Sequence, residues 1–176
     1  MTTTQTTKMI ETIEYKAQDI VEQWYKNVKI NPKTPIFHKM PQNEAIDLAL
    51  NFLSNYRKLF ETDKPFEEAN VLFSKYAGDC YQKQIPLPQT IYSLILMRRH
   101  MWLFAEYQAV FETAVEQRHA LESQGRMILM FDYAEYVVIQ TYDELIRSEI
   151  EDKFKALKIK SPLFVLWPGE WKEKAK

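Results

Sequence analysis

Apolar residues recur every three or four positions along most of the chain, and the alternation with period two that is typical of strands is rare. This spacing predicts amphipathic α-helices, each with one apolar face turned toward a core. Prolines and three glycines divide the pattern into segments, because proline lacks a backbone donor and disfavours helix in the residue before it. We therefore expect an all-α protein, a single domain of five or six helices packed as a bundle or a related helical fold.

The start of each helix is indicated by capping residues and prolines. Asn43 and Asp63 have side chains that are preferred at helix N-caps, and Pro65 lies where the first turn of a helix tolerates proline. Pro86 and Pro88 separate the third helix from the fourth. The predicted helices cover approximately residues 5–29, 43–61, 65–80 and 88–111, and a last helix that starts between 112 and 120 and ends near 157.

The fourth and last helices differ from the others. Apolar side chains occupy nearly the whole circumference of the fourth helix from Ile91 to Phe104, so we expect it to be central and enclosed. The last helix exceeds the usual length in globular proteins. Either it breaks near Gly125, or its C-terminal half projects and makes a dimer contact between Thr141 and Phe154. Its apolar stripe consists of Leu121, Ile128, Leu129, Val138, Ile139, Tyr142, Leu145, Ile146, Ile150 and Phe154.

The end of the chain has a different composition. Five consecutive apolar residues stand between Pro162 and Pro168, and the prolines exclude a regular helix there. We divide the chain into a helical, sensor-like domain, residues 1–160, and an aromatic and proline-containing tail, residues 161–176. So large an apolar segment is expected to dock on the domain or on a partner subunit.

Composition and charge exclude several classes of function. The 23 basic and 24 acidic residues are interleaved and give a net charge of -1, which argues against nucleic acid as a partner. No apolar run approaches the roughly 20 residues that span a membrane, and the polar start has no secretory signal, so a cytoplasmic location is expected. One cysteine gives no disulfide framework, and three isolated glycines give no phosphate-binding loop.

The three histidines, His38, His100 and His119, do not form a paired metal site, because none lies three or four residues from another. Glu116 and His119 match one half of a di-iron motif, but a full site needs a second such motif and further glutamates. The sequence therefore predicts no metal and no cofactor. An axial haem ligand at His100, or metal binding there, stays an alternative because this residue lies in the apolar fourth helix.

Two charged side chains interrupt apolar faces. Arg98 aligns with the apolar side of the fourth helix, and Asp132 follows the apolar run 127–131 in the last helix. An unpaired buried charge costs several kcal/mol, so we expect Arg98 or Arg99 to meet Asp132 or Glu135, with both Arg98 and Asp132 substantially buried. The favoured interpretation is a structural ion pair that fixes the register of the two helices.

Arg98 is also the centre of the candidate ligand site, because a guanidinium can bind the carboxylate or phosphate of an acidic ligand between aromatic walls. Cys80 is interpreted first as a small buried hydrophobic residue. No serine, histidine and aspartate set or cysteine and histidine pair is recognisable, and catalysis by Arg98 and Asp132 is the enzymatic alternative. The candidate ligand-binding residues are Arg98, Asp132, Tyr76, Tyr92, Trp102, His100 and Cys80.

Several segments resemble a known family. The similarity is to the N-terminal sensor domain of RsbR-type stressosome proteins, the RsbRD N-terminal family, and it covers roughly residues 15–150. The resemblance implies a globin-like fold without haem that dimerises and passes a signal to a C-terminal regulatory domain, for which this sequence has no counterpart. The segments that carry it are Phe73–Tyr81, Ile85–Pro88, Ile91–Arg99, Phe131–Ala134 and Tyr142–Leu145.

Together these observations favour a non-enzymatic sensor or regulatory module of a stress response, which binds a ligand or partner and signals by conformational change. The expected partners are a second copy of the chain through the last helix, a regulatory protein, and a small apolar or acidic ligand. Neither nucleic acid nor a membrane is expected as a partner. A haem-binding or metal-binding gas or redox sensor and a small helical enzyme are the two alternatives.

Overall fold

The structure is a computed structural model that describes residue 11, residues 13–108 and residues 114–160. Helices and the turns between them account for these residues, and no strand occurs among them, so the all-α prediction is confirmed. The helices with defined bounds are α1 (Ala17–Val28), a 3₁₀-helix (Pro35–His38), α2 (Gln42–Lys58), α3 (Pro65–Gln82), α4 (Leu87–Gln108) and α5 (Ala114–Lys160).

Contacts along the chain define two compact units, Met1–Tyr142 and Asp143–Lys176. In the first unit, α1 packs against α2, α4 and the 3₁₀-helix, and α2 packs against α3. The second unit contains the C-terminal part of α5, and the tail at residues 161–176 lies outside the described residues. Within the described part of the chain, no helix combines the length and the apolar composition needed to cross a bilayer.

The predicted apolar face of the first helix is confirmed where the structure describes it. Ile13, Ile20, Trp24 and Val28 are all buried, as their spacing of four or seven residues requires for one helix face. The predicted helix over residues 5–29 is nevertheless interrupted, because Lys16 adopts a turn conformation between the helical residues 13–15 and α1.

The predicted N-caps are wrong. The cap of α2 is Pro41 and that of α3 is Lys64, and neither helix has a side-chain capping hydrogen bond. Before α3, the hydroxyl of Thr62 accepts a hydrogen bond from the Lys64 amide at 3.1 Å. Proline at the first position of α3 supplies the helical φ angle and has no amide to satisfy, so the helix starts without a capping side chain.

The enclosure predicted for α4 is also wrong in part. Leu94, Met97 and Met101 are buried in the core, but Ile95 and Leu103 are each 37% exposed. One side of this apolar helix therefore lies at the surface. Its apolar residues are distributed around the helix, so the sequence pattern does not indicate which side is covered.

The last helix is continuous through Gly125, so the alternative of a break there is wrong. Of its predicted apolar stripe, Val138 and Tyr142 are buried and six described positions are exposed. The run 127–131 is apolar throughout, and such a run does not indicate which side of a helix faces the core. The buried residues are Met127, Met130, Phe131, Ala134, Val137, Val138 and Tyr142, whereas Ile128, Leu129, Ile139, Ile146, Ile150 and Phe154 are exposed.

A buried polar cluster holds the start of α4 in place. The Tyr142 hydroxyl donates a hydrogen bond to the Ile85 carbonyl at 2.9 Å and lies 3.0 Å from the Thr90 hydroxyl. On the other side, the Trp24 indole N–H donates to the Ser93 carbonyl at 2.9 Å. These bonds satisfy polar groups near the proline break before α4, which would otherwise be costly to bury.

Candidate functional site

The interior between α2, α3 and α5 is occupied by aromatic rings of the protein. The Phe52 ring centroid lies 5.2 Å from that of Phe73, 5.4 Å from Tyr76 and 5.5 Å from Phe131. Tyr56 and Phe131 are closer still, with 4.6 Å between their centroids. These separations are those of directly packed aromatic pairs. Five rings from three helices thus form one continuous apolar contact.

Tyr76 and Cys80, two of the predicted ligand-binding residues, belong to this interior. Both side chains are buried, and they are hydrogen-bonded to each other one helical turn apart on α3. Burial raises the pKa of Cys80 to about 12 and raises that of Tyr76 as well. The thiol is therefore protonated at neutral pH and is a poor nucleophile, as expected for a small buried hydrophobic residue.

The predicted ion pair between the fourth and last helices is present. Arg98 Nη1 lies 3.6 Å from Asp132 Oδ1 and 4.0 Å from Glu135 Oε1. The prediction that both side chains are substantially buried is wrong for Asp132, which is 58% exposed, whereas the Arg98 side chain is 30% exposed. The guanidinium carbon lies 5.8 Å from the Phe131 ring centroid, so the arginine covers this ring while its charge stays near water.

Glu135 is the more buried of the two acids that face Arg98, with 19% of its side chain exposed. Burial raises the pKa of its carboxyl, and the nearby Arg98 opposes that shift. Its Oε1 atom is buried and makes no hydrogen bond to the described residues. The arrangement is a surface charge cluster with Asp132 on its exposed side and Glu135 on its inner side.

The remaining predicted residues lie elsewhere on α4. Tyr92 is half-buried, with the Lys33 ammonium 4.8 Å from its ring centroid, and Trp102 is half-buried against the core. His100 is half-buried, and its Nε2 atom is buried without a hydrogen-bond partner among the described residues. Desolvation and the neighbouring Arg99 lower the pKa of this imidazole.

The predicted ligand residues are therefore brought together in two pairs by the contacts described above. Tyr76 pairs with Cys80 in the aromatic interior, and Arg98 pairs with Asp132 at the surface of α4 and α5. The rings of Phe52 and Phe131 lie between these pairs, since Phe131 contacts both Arg98 and Phe52. Aromatic packing thus occupies the space that a pocket centred on Arg98 needs.

Sequence reasoning missed two surface clefts. A cleft of about 650 Å³ between α2 and α3 is lined by polar residues, and Lys83 forms an ion pair with Glu44 there, which raises the lysine pKa. A second cleft, of about 440 Å³, is lined by residues that include Ile13, Leu53 and Arg57. The polar faces of α2 and α3 were visible in the sequence, but their adjacency was not.

In the described residues, no group of three or more histidine, cysteine or acidic residues could hold a metal ion.

An apolar surface lies on α5 within the first unit. We call it the 128–139 face and define it by Ile128, Leu129, Tyr136 and Ile139, which are between 40% and 56% exposed. At 100° per residue these four positions fall within an arc of about 100° on the helix, opposite the buried residues. Asp132 lies within the same arc, and its partner Arg98 links this face to α4.

A further apolar surface lies on α5 within the second unit. We call it the 146–157 stripe and define it by Ile146, Ile150, Phe154 and Leu157, which are between 41% and 64% exposed. Their steps of four, four and three residues place them on one side of the helix. Ion pairs four residues apart stabilise this segment by roughly 0.2–0.5 kcal/mol each. They join Arg147 to Asp143 at 2.9 Å and Lys153 to Glu149 at 2.6 Å.

Comparison of the chain with models of protein families, with curated proteins and with solved structures found no match.

Proposed function

We propose that the chain is a non-enzymatic regulatory module of the RsbR N-terminal kind, which acts in the cytoplasm by docking to other proteins and first of all to a second copy of itself. The observation that carries this proposal is the 128–139 face, where four large apolar side chains of α5 are exposed together. Contiguous apolar surface of this kind marks interaction sites on folded proteins.

The size of the surface supports a dimer. Multiplying the exposed fraction of each side chain by its ordinary full area gives the apolar surface available for docking. For the 128–139 face together with Ile95 and Leu103 on α4, this surface is about 500 Å² per copy. Two copies bury about 1,000 Å², which is the lower limit for a specific interface. At about 25 cal/mol per Å² this area contributes about 25 kcal/mol, most of which is offset by the cost of association and of ordering the side chains at the interface. We therefore expect a dissociable dimer with a dissociation constant in the micromolar range.

The ion pair fits this surface. Asp132 lies within the 128–139 face, and an unpaired carboxylate buried by a partner would oppose docking. Because Arg98 already lies 3.6 Å from it, the charge that enters the interface is compensated within each copy. In this proposal Arg98 and Asp132 serve the interface rather than catalysis.

The aromatic interior favours docking at the surface over a ligand bound between the helices. Ring centroids separated by 4.6 to 5.5 Å at the centre of the first unit belong to a packed core. A small apolar or acidic ligand stays part of the proposal as the signal that shifts the docked state. A change of partner or of subunit arrangement is then the output.

Sedimentation equilibrium of single-site variants tests the dimer. Ile139→Asp places a charge in the 128–139 face and is expected to raise the dissociation constant at least 100-fold, while the far-ultraviolet spectrum of the helices is unchanged. The matched control is Val71→Asp on α3, since Val71 is 71% exposed and lies outside this face. Equal association of both variants and the unaltered chain would contradict the proposal, as would a monomer at 100 µM.

A second candidate function is haem or metal binding through His100, which the unpartnered, buried Nε2 atom favours. A lowered pKa keeps the imidazole neutral, the state that ligates a metal. Titration of the purified chain with haemin tests it. A Soret band that the His100→Ala variant loses supports this candidate, and identical spectra of both proteins rule it out.

A further inference from the structure

We propose that the apolar segment at residues 162–168 binds the 146–157 stripe of the same chain as a strap. The proposal does not depend on the dimer through the 128–139 face, because the two surfaces belong to different units of the chain. The stripe offers four exposed apolar side chains, and the segment offers five consecutive apolar residues, Leu163–Trp167.

The dimensions of the two partners agree. From Ile146 to Leu157 the helix rises 11 residues, or about 17 Å at 1.5 Å per residue. From Pro162 to Trp167 an extended chain spans five residues, or about 17 Å at 3.3 Å per residue. Because α5 ends at Lys160, the reversal falls at Ser161 and Pro162, and a proline favours a non-helical conformation in the residue before it. A segment that turns back there extends along the stripe from Leu157 to about Ile150.

The backbone chemistry of the segment suits an apolar surface. An extended segment that lies against a helix leaves its amides without the hydrogen bonds of regular structure, and each unpaired amide is costly to bury. Pro162 and Pro168 have no amide hydrogen, so both ends of the segment avoid this cost. In an extended chain, alternate side chains face the same way, so Leu163, Val165 and Trp167 are able to contact the stripe together.

Charge sets the direction of the strap. Residues 143–152 of the helix carry five acidic side chains and one arginine, whereas residues 153–157 carry two lysines and no acid. The end of the chain at residues 172–176 has three lysines and one glutamate. An antiparallel strap directs this basic end toward the acidic end of the helix segment, and opposite charges favour that orientation.

The same chain is a better occupant of the stripe than a second copy. The four exposed side chains amount to about 450 Å², so pairing two such helices buries about 900 Å² at most, which is below the size of a specific interface. The stripe also spans fewer than two heptads, which is too short for a stable coiled coil. A segment attached to the end of the helix through Ser161 has an effective concentration in the millimolar range.

The fluorescence of Trp167 in the full chain tests the strap. Subtracting the emission of the Trp167→Phe variant from that of the unaltered chain isolates this residue. We expect a blue-shifted spectrum and acrylamide quenching at least threefold weaker than in a synthetic peptide of residues 161–176 that carries Trp171→Phe, so that Trp167 is its one fluorophore of this kind. Ile150→Asp in the stripe is expected to raise quenching to the level of the peptide, whereas Val71→Asp, an equally charged substitution outside the stripe, leaves it unchanged.

Circular dichroism shows whether Ile150→Asp folds, and Phe154→Ser provides a second stripe variant if it does not. Peptide-like quenching of Trp167 in the unaltered chain would overturn the strap, and so would shielding that both stripe variants retain. Shielding that disappears on dilution would overturn the assignment to the same chain and indicate a second copy instead. A chain that is monomeric at 100 µM with Trp167 still shielded would refute the proposed function and leave the strap intact.

Discussion

Replacing Tyr142 with phenylalanine tests how the polar cluster before α4 contributes to stability. The substitution keeps the buried ring and removes only the hydroxyl, which donates to the Ile85 carbonyl at 2.9 Å and lies 3.0 Å from the Thr90 hydroxyl. Both partners are buried, so water does not readily replace the lost group. Burial also raises the pKa of Tyr142, so the hydroxyl stays protonated and the same bonds persist across the physiological pH range.

The size of the effect follows from these two hydrogen bonds. Each contributes about 1 kcal/mol net, and a buried carbonyl left without a partner costs about 1–3 kcal/mol. Thr90 retains a weaker contact with the Pro86 carbonyl at 3.4 Å, so the Ile85 carbonyl dominates the loss. We expect Tyr142→Phe to lower the free energy of unfolding by about 2 kcal/mol, which for a chain of this size lowers Tm by about 4–8 °C.

Urea unfolding followed by circular dichroism measures this change. Tyr136→Phe is the matched control, because Tyr136 is exposed on the same helix and is expected to change the free energy of unfolding by less than about 0.5 kcal/mol. In a double-mutant cycle, the losses of unfolding free energy caused by Thr90→Val and Tyr142→Phe are expected to be less than additive, since both substitutions remove the same contact. Equal stabilities of Tyr142→Phe and Tyr136→Phe would refute the reasoning.

Three further outcomes are expected. Asp132→Asn changes the free energy of unfolding by less than about 1 kcal/mol in urea titrations, because its ion pair with Arg98 is exposed; a larger loss would show a buried pair. Cys80 does not react with Ellman's reagent at pH 8 in the native chain and reacts rapidly in urea, because burial raises its pKa to about 12; rapid native labelling would contradict its burial. Desolvation lowers the folded-state pKa of His100, so the unfolded chain binds more protons, and stability falls as pH drops through about 6.5. His100→Gln removes this part of the pH dependence, and an unchanged slope between pH 7 and 5.5 would contradict it.

The existence of the helices could be predicted from the sequence because apolar periodicity and prolines act locally. Ile20, Trp24 and Val28 show one clear face, and this face is buried. The helix starts were less predictable. Asn43 and Asp63 have good capping side chains, but α2 begins directly after Pro41 and α3 begins at Pro65. At Pro65, the first position of α3, a preorganised φ angle takes the place of a capping hydrogen bond.

The faces of the apolar helices could not be predicted, because the choice is made by tertiary packing. In the run 127–131, Met127, Met130 and Phe131 are buried while Ile128 and Leu129 are exposed, although all five are apolar. The ion pair between Arg98 and Asp132 was predictable from the cost of an isolated charge, but its exposure depends on which side of α4 is covered. The same ambiguity concealed the 128–139 face from sequence reasoning.

A distance between two copies tests the proposed dimer most directly. With Cys80→Ser removing the native thiol, Arg126→Cys provides one spin-label site per chain, so every dipolar signal arises from a second copy. Residue 126 lies about 11 Å along α5 from the centre of the 128–139 face, and packed helices are 8–10 Å apart. Parallel and antiparallel docking on this face therefore both predict a distance below about 40 Å between the two spin labels. The absence of a dipolar signal at 100 µM protein, or a longer distance, would contradict docking through this face.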